Sequence, residues 1–208
     1  MITMYGQIRS RTARCLWALE EMGVPYRHVS VDLEAGEART PEYLAINPNA
    51  KIPSMVDGDL KLCESMAINL YLARKYGKAL WPASEADQAR AVQWSFWGMT
   101  EIEPSLMTIL VQNLFVPADR KRPDRVEDAR NALAAPLKVL NAHLKDRPYL
   151  LGSQFTIADL NLAGILLLAN VVQFDVSPYP DVKKWLDSCL GRPAFLKVMQ
   201  PLASAKDK

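Results

Sequence analysis

Apolar positions along the chain fall into two regimes that meet near residue 80. In the first, short strand-like runs alternate with stretches at helical spacing. Ile2 to Tyr5 reads as a strand. Over residues 12–22, Ala13, Leu16, Trp17 and Leu19 line one helical face, and Gly23 with Pro25 supplies the stop. Tyr26 to Val31 returns to an extended pattern, Asp32 to Thr40 is a polar loop, and Pro41 to Ala45 allows one or two helical turns. Ser54 to Val56 and Leu60 to Cys63 flank Asp57-Gly58-Asp59, and an Asp-Gly between apolar runs predicts a hairpin of two antiparallel strands. Glu64 to Tyr76 resumes helical spacing through Ile68, Tyr71 and Leu72, ending at Gly77. The order β-α-β-α-β-β-α is that of an α/β unit.

Beyond Gly77 the strand signals cease. Leu80-Trp81-Pro82 reads as a linker, and Ser84 with Asp87 as the start of a helix. Residues 85–115 are long, apolar and rich in Trp and Met and read as amphipathic helix, with Trp94 and Trp97 assigned to the core. Leu133, Leu137, Leu140 and Leu144 recur at helical spacing and predict another amphipathic helix. Pro117 and Pro123 bracket an Asp-Arg-Lys-Arg segment, read as a solvated turn. Thr156-Ile157-Ala158-Asp159 is a sharper signal: hydroxyl and carboxylate can each satisfy the other residue's amide, with Phe155 and Leu160 placed to staple the turn. It predicts the start of a buried helix and carries no catalytic role. The expected organisation is an α/β domain over 1–78, a linker over 79–84 and an all-helical domain over 85–208.

Composition narrows the chemistry. The 208 residues are 50% apolar, enough for two modest cores, and 25 basic against 23 acidic side chains leave +2, too little to predict a nucleic-acid partner. The first residues lack the pattern of a secretory signal. The longest apolar stretch, Leu160 to Val172, is broken by Asn161, Gly164 and Asn170 and falls short of the roughly 20 residues that span a bilayer. A cytoplasmic protein without a membrane partner is expected. Cys15, Cys63 and Cys189 show neither CxxC nor metal-ligand spacing and read as small buried hydrophobes, and His28 and His143 are the only imidazoles. Neither a histidine-rich metal centre nor a Ser-His-Asp hydrolase is expected, so the metal assignment is none.

Three features of the first eighty residues suit ligand chemistry. Asn47-Pro48-Asn49-Ala50-Lys51-Ile52-Pro53 leads into a strand, and an X-Pro bond there can be cis. The Ile52 backbone then offers itself to an extended peptide ligand, although a proline-punctuated turn explains the same residues. Glu64-Ser65 falls where a strand ends and a helix begins. The free amides of a helix start favour a carboxylate and Glu64 an ammonium, so the pair suits an α-amino acid end; simple capping by Ser65 is the plainer reading. Ser10-Arg11-Thr12-Ala13-Arg14 turns from the first strand into the first helix. A hydroxyl at that helix start can donate to a thiolate and lower the thiol's pKa, or can serve as an ordinary cap.

Taken in order, these residues resemble the cytosolic glutathione S-transferases, specifically the serine-type, theta-like branch. The resemblance runs through Tyr5-Gly6, the Ser10 to Arg14 turn, Trp17 to Tyr26, Asn47-Pro48 to Pro53, Asp57-Gly58, Glu64 to Leu72 and Phe155 to Asp159. It implies a thioredoxin-like amino-terminal domain followed by an all-helical domain. It further implies that Pro53 is a cis-proline, that Ile52 pairs with the cysteinyl part of glutathione, and that Glu64 and Ser65 anchor the γ-glutamyl end. Lys51 is implied to reach the glycyl carboxylate and Ser10 to hold the thiolate, with Tyr5 as the alternative hydroxyl. Gln7 and Ala50 stand where the family commonly has proline and glycine. The implied activity is attack of glutathione, as cosubstrate, on a small apolar electrophile, bound between the domains near the Gln7 to Arg9 loop and the helix of Leu106 and Leu110. A homodimer is implied. Alternatives are a glutathione-dependent peroxidase or disulfide reductase, and a non-catalytic transferase-like binding module.

Overall fold

The first strand, β1 (Ile2–Tyr5), is followed by α1 (Thr12–Met22), β2 (Tyr26–Val29), the short α2 (Pro41–Leu44), the hairpin β3 (Ser54–Asp57) and β4 (Leu60–Cys63), and α3 (Ser65–Tyr76). These are the elements and the order that the apolar pattern predicts. The computed structural model describes residues 1–204 and divides the chain into two units, one of residues 1–81 with the segment from Gly191 onward, the other of residues 82–190. In the first unit the sheet order is β2-β1-β3-β4, with β2 parallel to β1 and the remaining pairs antiparallel. This is the thioredoxin-like arrangement.

Alternation along the strands gives the sheet two covered faces. Met4 and Met55, paired across β1 and β3, are fully buried on one. On the other, Val31, Ala38 and Tyr43 form a small core against which Tyr5, Ala50 and Ile52 pack. Helix α1 is buried more widely than its single predicted face: Thr12, Arg14, Cys15 and Ala18 are covered as well. The reason is distant in sequence: Cys15 donates to the Ser65 carbonyl and the Arg14 carbonyl accepts from Asn69, both on α3, and a second helix covers Trp17. The last helix, α10 (Pro193–Ser204), lies along α1, with Phe195 edge-on to Trp17 at 5.0 Å, Arg192 bidentate on Glu21 at 2.6 and 2.8 Å, and Lys197 on Glu20 at 2.7 Å.

The second unit contains α4 (Glu85–Trp97), α5 (Glu103–Leu114), α6 (Pro123–Ala132), α7 (Ala134–Leu144), α8 (Ile157–Val171) and α9 (Pro180–Leu190). Helix α8 is its centre, buried without interruption from Ile157 to Leu166. The helical sequence over 85–115 forms α4 and α5, joined by a π-turn at Gly98–Ile102. Pro104, in the first turn of α5, has no amide to return to the preceding turn, and the register slips there. Gly98 lets the slipped segment touch α8, since a Cβ at that position would come within 2.7 Å of Ile165 and 2.8 Å of Leu162. Leu133, Leu137, Leu140 and Leu144 are all buried, as their spacing requires.

Two burial expectations need correction. Trp94 is in the core, but Trp97 is only half-buried, its ring edge-on to Trp94 at 5.1 Å. Cys15 and Cys189 are buried, whereas Cys63 is half-exposed because it ends a strand at the sheet's edge. No helix among the described residues is long and apolar enough to cross a membrane, and none of their His, Cys, Asp and Glu side chains cluster in a way that could hold a metal.

Candidate active site

Strand register brings the three sequence features together. Tyr5 pairs with Ser54, and Ser54 with Cys63, so the loop leaving β1, the loop entering β3 and the turn leaving β4 share one end of the sheet. Strands lie about 4.8 Å apart, so three neighbours span about 10 Å. An extended tripeptide is about as long.

The first loop carries Ser10 at the start of α1. Its Oγ donates to the Gln7 carbonyl at 2.6 Å, lies 2.8 Å from Thr12 Oγ1 and accepts from the Thr12 amide at 3.1 Å. The hydroxyl is thus fixed by backbone on both sides, and a thiolate there competes with the Gln7 carbonyl for its proton. Gly6 makes the loop possible: its φ is +133°, and a Cβ would stand 2.1 Å from Thr12 Oγ1 and 3.0 Å from Ile52 Cβ. Only glycine passes between those two side chains. Tyr5 has a different setting. Its ring packs with the Val31, Ala38 and Tyr43 cluster and stands edge-on to Tyr43 at 6.2 Å.

The Ile52–Pro53 bond in the second loop is cis. Sequence reading missed what holds this loop. The Lys51 carbonyl accepts from Tyr43 Oη at 2.7 Å and Asn47 Nδ2 at 2.8 Å, and Ser54 Oγ lies 2.9 Å from Tyr43 Oη and 3.1 Å from Asn47 Nδ2. Asn47 Oδ1 in turn accepts from the Asn49 amide at 3.0 Å. Asn47 and Ser54 are buried, so these bonds work in a low dielectric. Burial pushes the Tyr43 phenol's pKa up despite the bonds from Ser54 and Asn47, which keeps it a neutral donor. The Asn-Pro-Asn turn was the one local hint, but Tyr43 and Ser54 lie outside it. Ala50 adopts φ 51°, the left-handed region where glycine is the unstrained residue. Lys51 itself is exposed and Ile52 half-buried.

At the third corner, Glu64 holds φ 69° and ψ 112°, a conformation costly for any residue but glycine. Its carbonyl begins α3, accepting from the Ile68 amide at 2.9 Å. The Glu64 side chain does not cap α3, whose first-turn amides lie at this end of the sheet. Ser65 is buried to 3% exposure beside them, and its carbonyl accepts from Cys15 Sγ at 3.7 Å. Burial pushes the Cys15 thiol's pKa far up, against the smaller pull of Arg14, so this cysteine is a packing residue. Of the pair Leu106 and Leu110, expected near the electrophile, Leu106 is fully buried and Leu110 half-buried.

The chain is similar to known proteins over nearly its whole length. Residues 1–74 match the family model for the glutathione S-transferase N-terminal domain, and residues 102–193 match that for the C-terminal domain. The chain is 36% identical over 207 residues to glutathione S-transferase 3 of Zea mays, covering 95% of this chain and 93% of the maize protein. It is 30% identical over 203 residues to glutathione S-transferase GstB of Escherichia coli K12, covering 96% and 98%. A theta-class glutathione S-transferase of Xanthomonas axonopodis pv. citri, solved with glutathione bound, superposes with a TM-score of 0.87 at 29% identity over 94% of this chain and 95% of that one.

Proposed function

The chain belongs to the glutathione S-transferase family and is a glutathione-conjugating enzyme; from that premise we propose that Ser10 is the residue that holds the sulfur as thiolate. Glutathione is the cosubstrate; the theta-class relative from Xanthomonas axonopodis pv. citri was solved with glutathione bound, and a glutathione S-transferase-I with lactoylglutathione. The observation that carries the Ser10 assignment is its position at the start of α1, held by Gln7 and Thr12, while Tyr5 is committed to packing against Tyr43. A hydrogen bond to the charged sulfur, reinforced by the positive end of α1, favours the thiolate over the thiol. The thiolate then attacks the carbon of an apolar electrophile; a new carbon–sulfur bond forms as the leaving group departs with its electron pair.

The rest of the site positions the tripeptide. Ile52 presents its backbone to the cysteinyl residue beside Pro53, on a loop that Tyr43, Asn47 and Ser54 keep in place before the ligand arrives. Glu64 takes the γ-glutamyl ammonium, and Ser65 with the first amides of α3 takes its carboxylate. Lys51 reaches the glycyl carboxylate. Two copies of the chain pair through exposed apolar surface, to which Leu60 at 37% exposure and Phe96 at 65% contribute, and sedimentation should find a dimer. Three free cysteines suit a reducing, cytoplasmic setting.

Titrating the thiolate absorbance of bound glutathione tests the assignment. Ser10→Ala should raise the pKa toward that of free glutathione and lower kcat/KM for a chloro-dinitroaromatic by about 100-fold, the scale for losing one preorganised donor. Tyr5→Phe should leave both within about two-fold. The reverse outcome transfers the role to Tyr5.

A further inference from the structure

The helical unit holds a cavity that the sheet-end chemistry does not use. A cleft of about 360 Å³ lies between the turn that follows α7 and one side of α9. Leu144 and Trp185, each 2% exposed, form its apolar end, and the Trp185 indole is fixed by donating to Asp159 at 2.9 Å. Four charged residues make the rim: Asp146 and Arg147 from the turn, Asp181 and Lys184 from α9. The turn is held by the Arg147 amide donating to the Leu144 carbonyl at 3.0 Å, with Asp146 at φ 59°. Asp181 is fixed too, since its amide donates to Asn141 Oδ1 at 2.9 Å and its Oδ2 accepts from Asn141 Nδ2 at 3.3 Å. Lys183 is occupied with Asp187, whereas Lys184, like Arg147, meets no carboxylate among the described residues.

The volume sits at the small end of the range for ligand pockets, which starts near 300 Å³. The charges select further. A simple anion meets Asp146 and Asp181, and a simple cation meets Arg147 and Lys184, so either gains one pair of contacts at the expense of a like-charge pair. A molecule carrying both signs satisfies the whole rim. We propose that this cleft binds a small zwitterion, a free amino acid or short peptide, with its ammonium toward Asp146 and Asp181, its carboxylate toward Arg147 and Lys184, and an apolar side chain against Leu144 and Trp185.

The test uses the full chain and the dipeptide glycyl-phenylalanine, followed by amide resonances in a nitrogen-labelled sample. Saturable shifts at residues 144–147 and 181–188 are expected, with the dissociation constant raised at least five-fold by N-acetylation of the probe, by its C-terminal amidation, and by Arg147→Ala or Lys184→Ala. Both substitutions are at exposed side chains and leave the fold intact, which the unchanged remainder of the spectrum would show. Shifts confined to residues around Ser10, Ile52 and Glu64, equal binding of the blocked probes, or affinity indifferent to both substitutions would each overturn the proposal. Absence of any shift at tens of millimolar probe would do so too.

Discussion

Helices α3 and α8 begin in opposite ways. At the start of α8 the chain satisfies itself: Asp159 Oδ2 accepts from the Thr156 amide at 2.9 Å and hydroxyl at 3.1 Å, while Oδ1 accepts from the Leu150 amide at 2.8 Å and the Trp185 indole at 2.9 Å. The Asp159 carboxylate is fully engaged there. At the start of α3 the Glu64 side chain makes no cap, Glu64 is held at positive φ, and a buried serine sits beside the first-turn amides. A start closed by its own side chains is an architectural device, and one left open at a backbone cost is ready for a ligand.

The largest effect is expected where the chain closes on itself. Burial pushes the Asp159 carboxyl's pKa up, and the four donors draw it back. Asp159→Asn keeps the shape but replaces a two-oxygen acceptor with one oxygen and two donors, leaving buried donors from Thr156, Leu150 or Trp185 unpaired. A loss of about 3–5 kcal/mol in urea unfolding is expected, from a penalty of about 1–3 kcal/mol for each orphaned group. Glutathione affinity of the molecules that remain folded should stay within about two-fold. A stability loss below about 1 kcal/mol would show that the network is slack and remove the contrast.

How far these two starts could be read in advance differs for a physical reason. The Thr156 to Asp159 box is local, four consecutive residues whose geometry follows once a helix begins, so it is legible in the sequence. Its second oxygen is not: Trp185 lies 26 positions away on α9, and only packing brings it near. The same holds at the candidate site. Ser10, Ile52 and Glu64 are marked by turn and helix-start chemistry around them, but the support from Tyr43, Asn47 and Ser54 emerges only when α2 folds over the entrance to β3. The covering of α1 by α10, held by Arg192 on Glu21, and the π-turn before Pro104 are likewise tertiary facts, since periodicity counts apolar residues and does not register what packs on them.

The open start is probed by Glu64→Gly, for which stability and binding should move in opposite directions. Relief of the positive φ should raise unfolding stability by about 0.5–1 kcal/mol, the larger freedom of glycine in the unfolded chain offsetting part of the gain. Loss of the carboxylate should weaken glutathione by about 10-fold, the scale of one charge-assisted hydrogen bond. Calorimetry on one sample reads both. If stability falls along with affinity, Glu64 holds the fold rather than the ligand, and α3 and α8 are alike after all.

The smallest effect on glutathione binding concerns the far end of α3. That end is clamped to β3: Asp57 Oδ2 accepts from Tyr71 Oη at 2.7 Å, Tyr76 Oη at 2.7 Å and Lys75 Nζ at 2.8 Å, and Lys75 lies over both rings. Burial alone would raise the Asp57 pKa, but the bonds from Lys75, Tyr76 and Tyr71 overcome it and hold the carboxyl down at about 2, against an ordinary 3.8. Because the folded value lies below the unfolded one, the clamp's contribution is complete above pH 3.8 and drains away as pH falls toward about 2. Lys75 stands 46% exposed, so solvent screens much of the pairing, and we set the loss in Asp57→Asn at about 1 kcal/mol near neutral pH. The difference between the two proteins should shrink toward zero as both are titrated from pH 4 to pH 2, since acid removes from the parent the charge that the substitution has already removed. Glutathione affinity should move by less than about two-fold at neutral pH if the clamp only secures the helix. A shift as large as that of Glu64→Gly would mean that the open end of α3 depends on its clamped end for its geometry, and that the two ends act as one device.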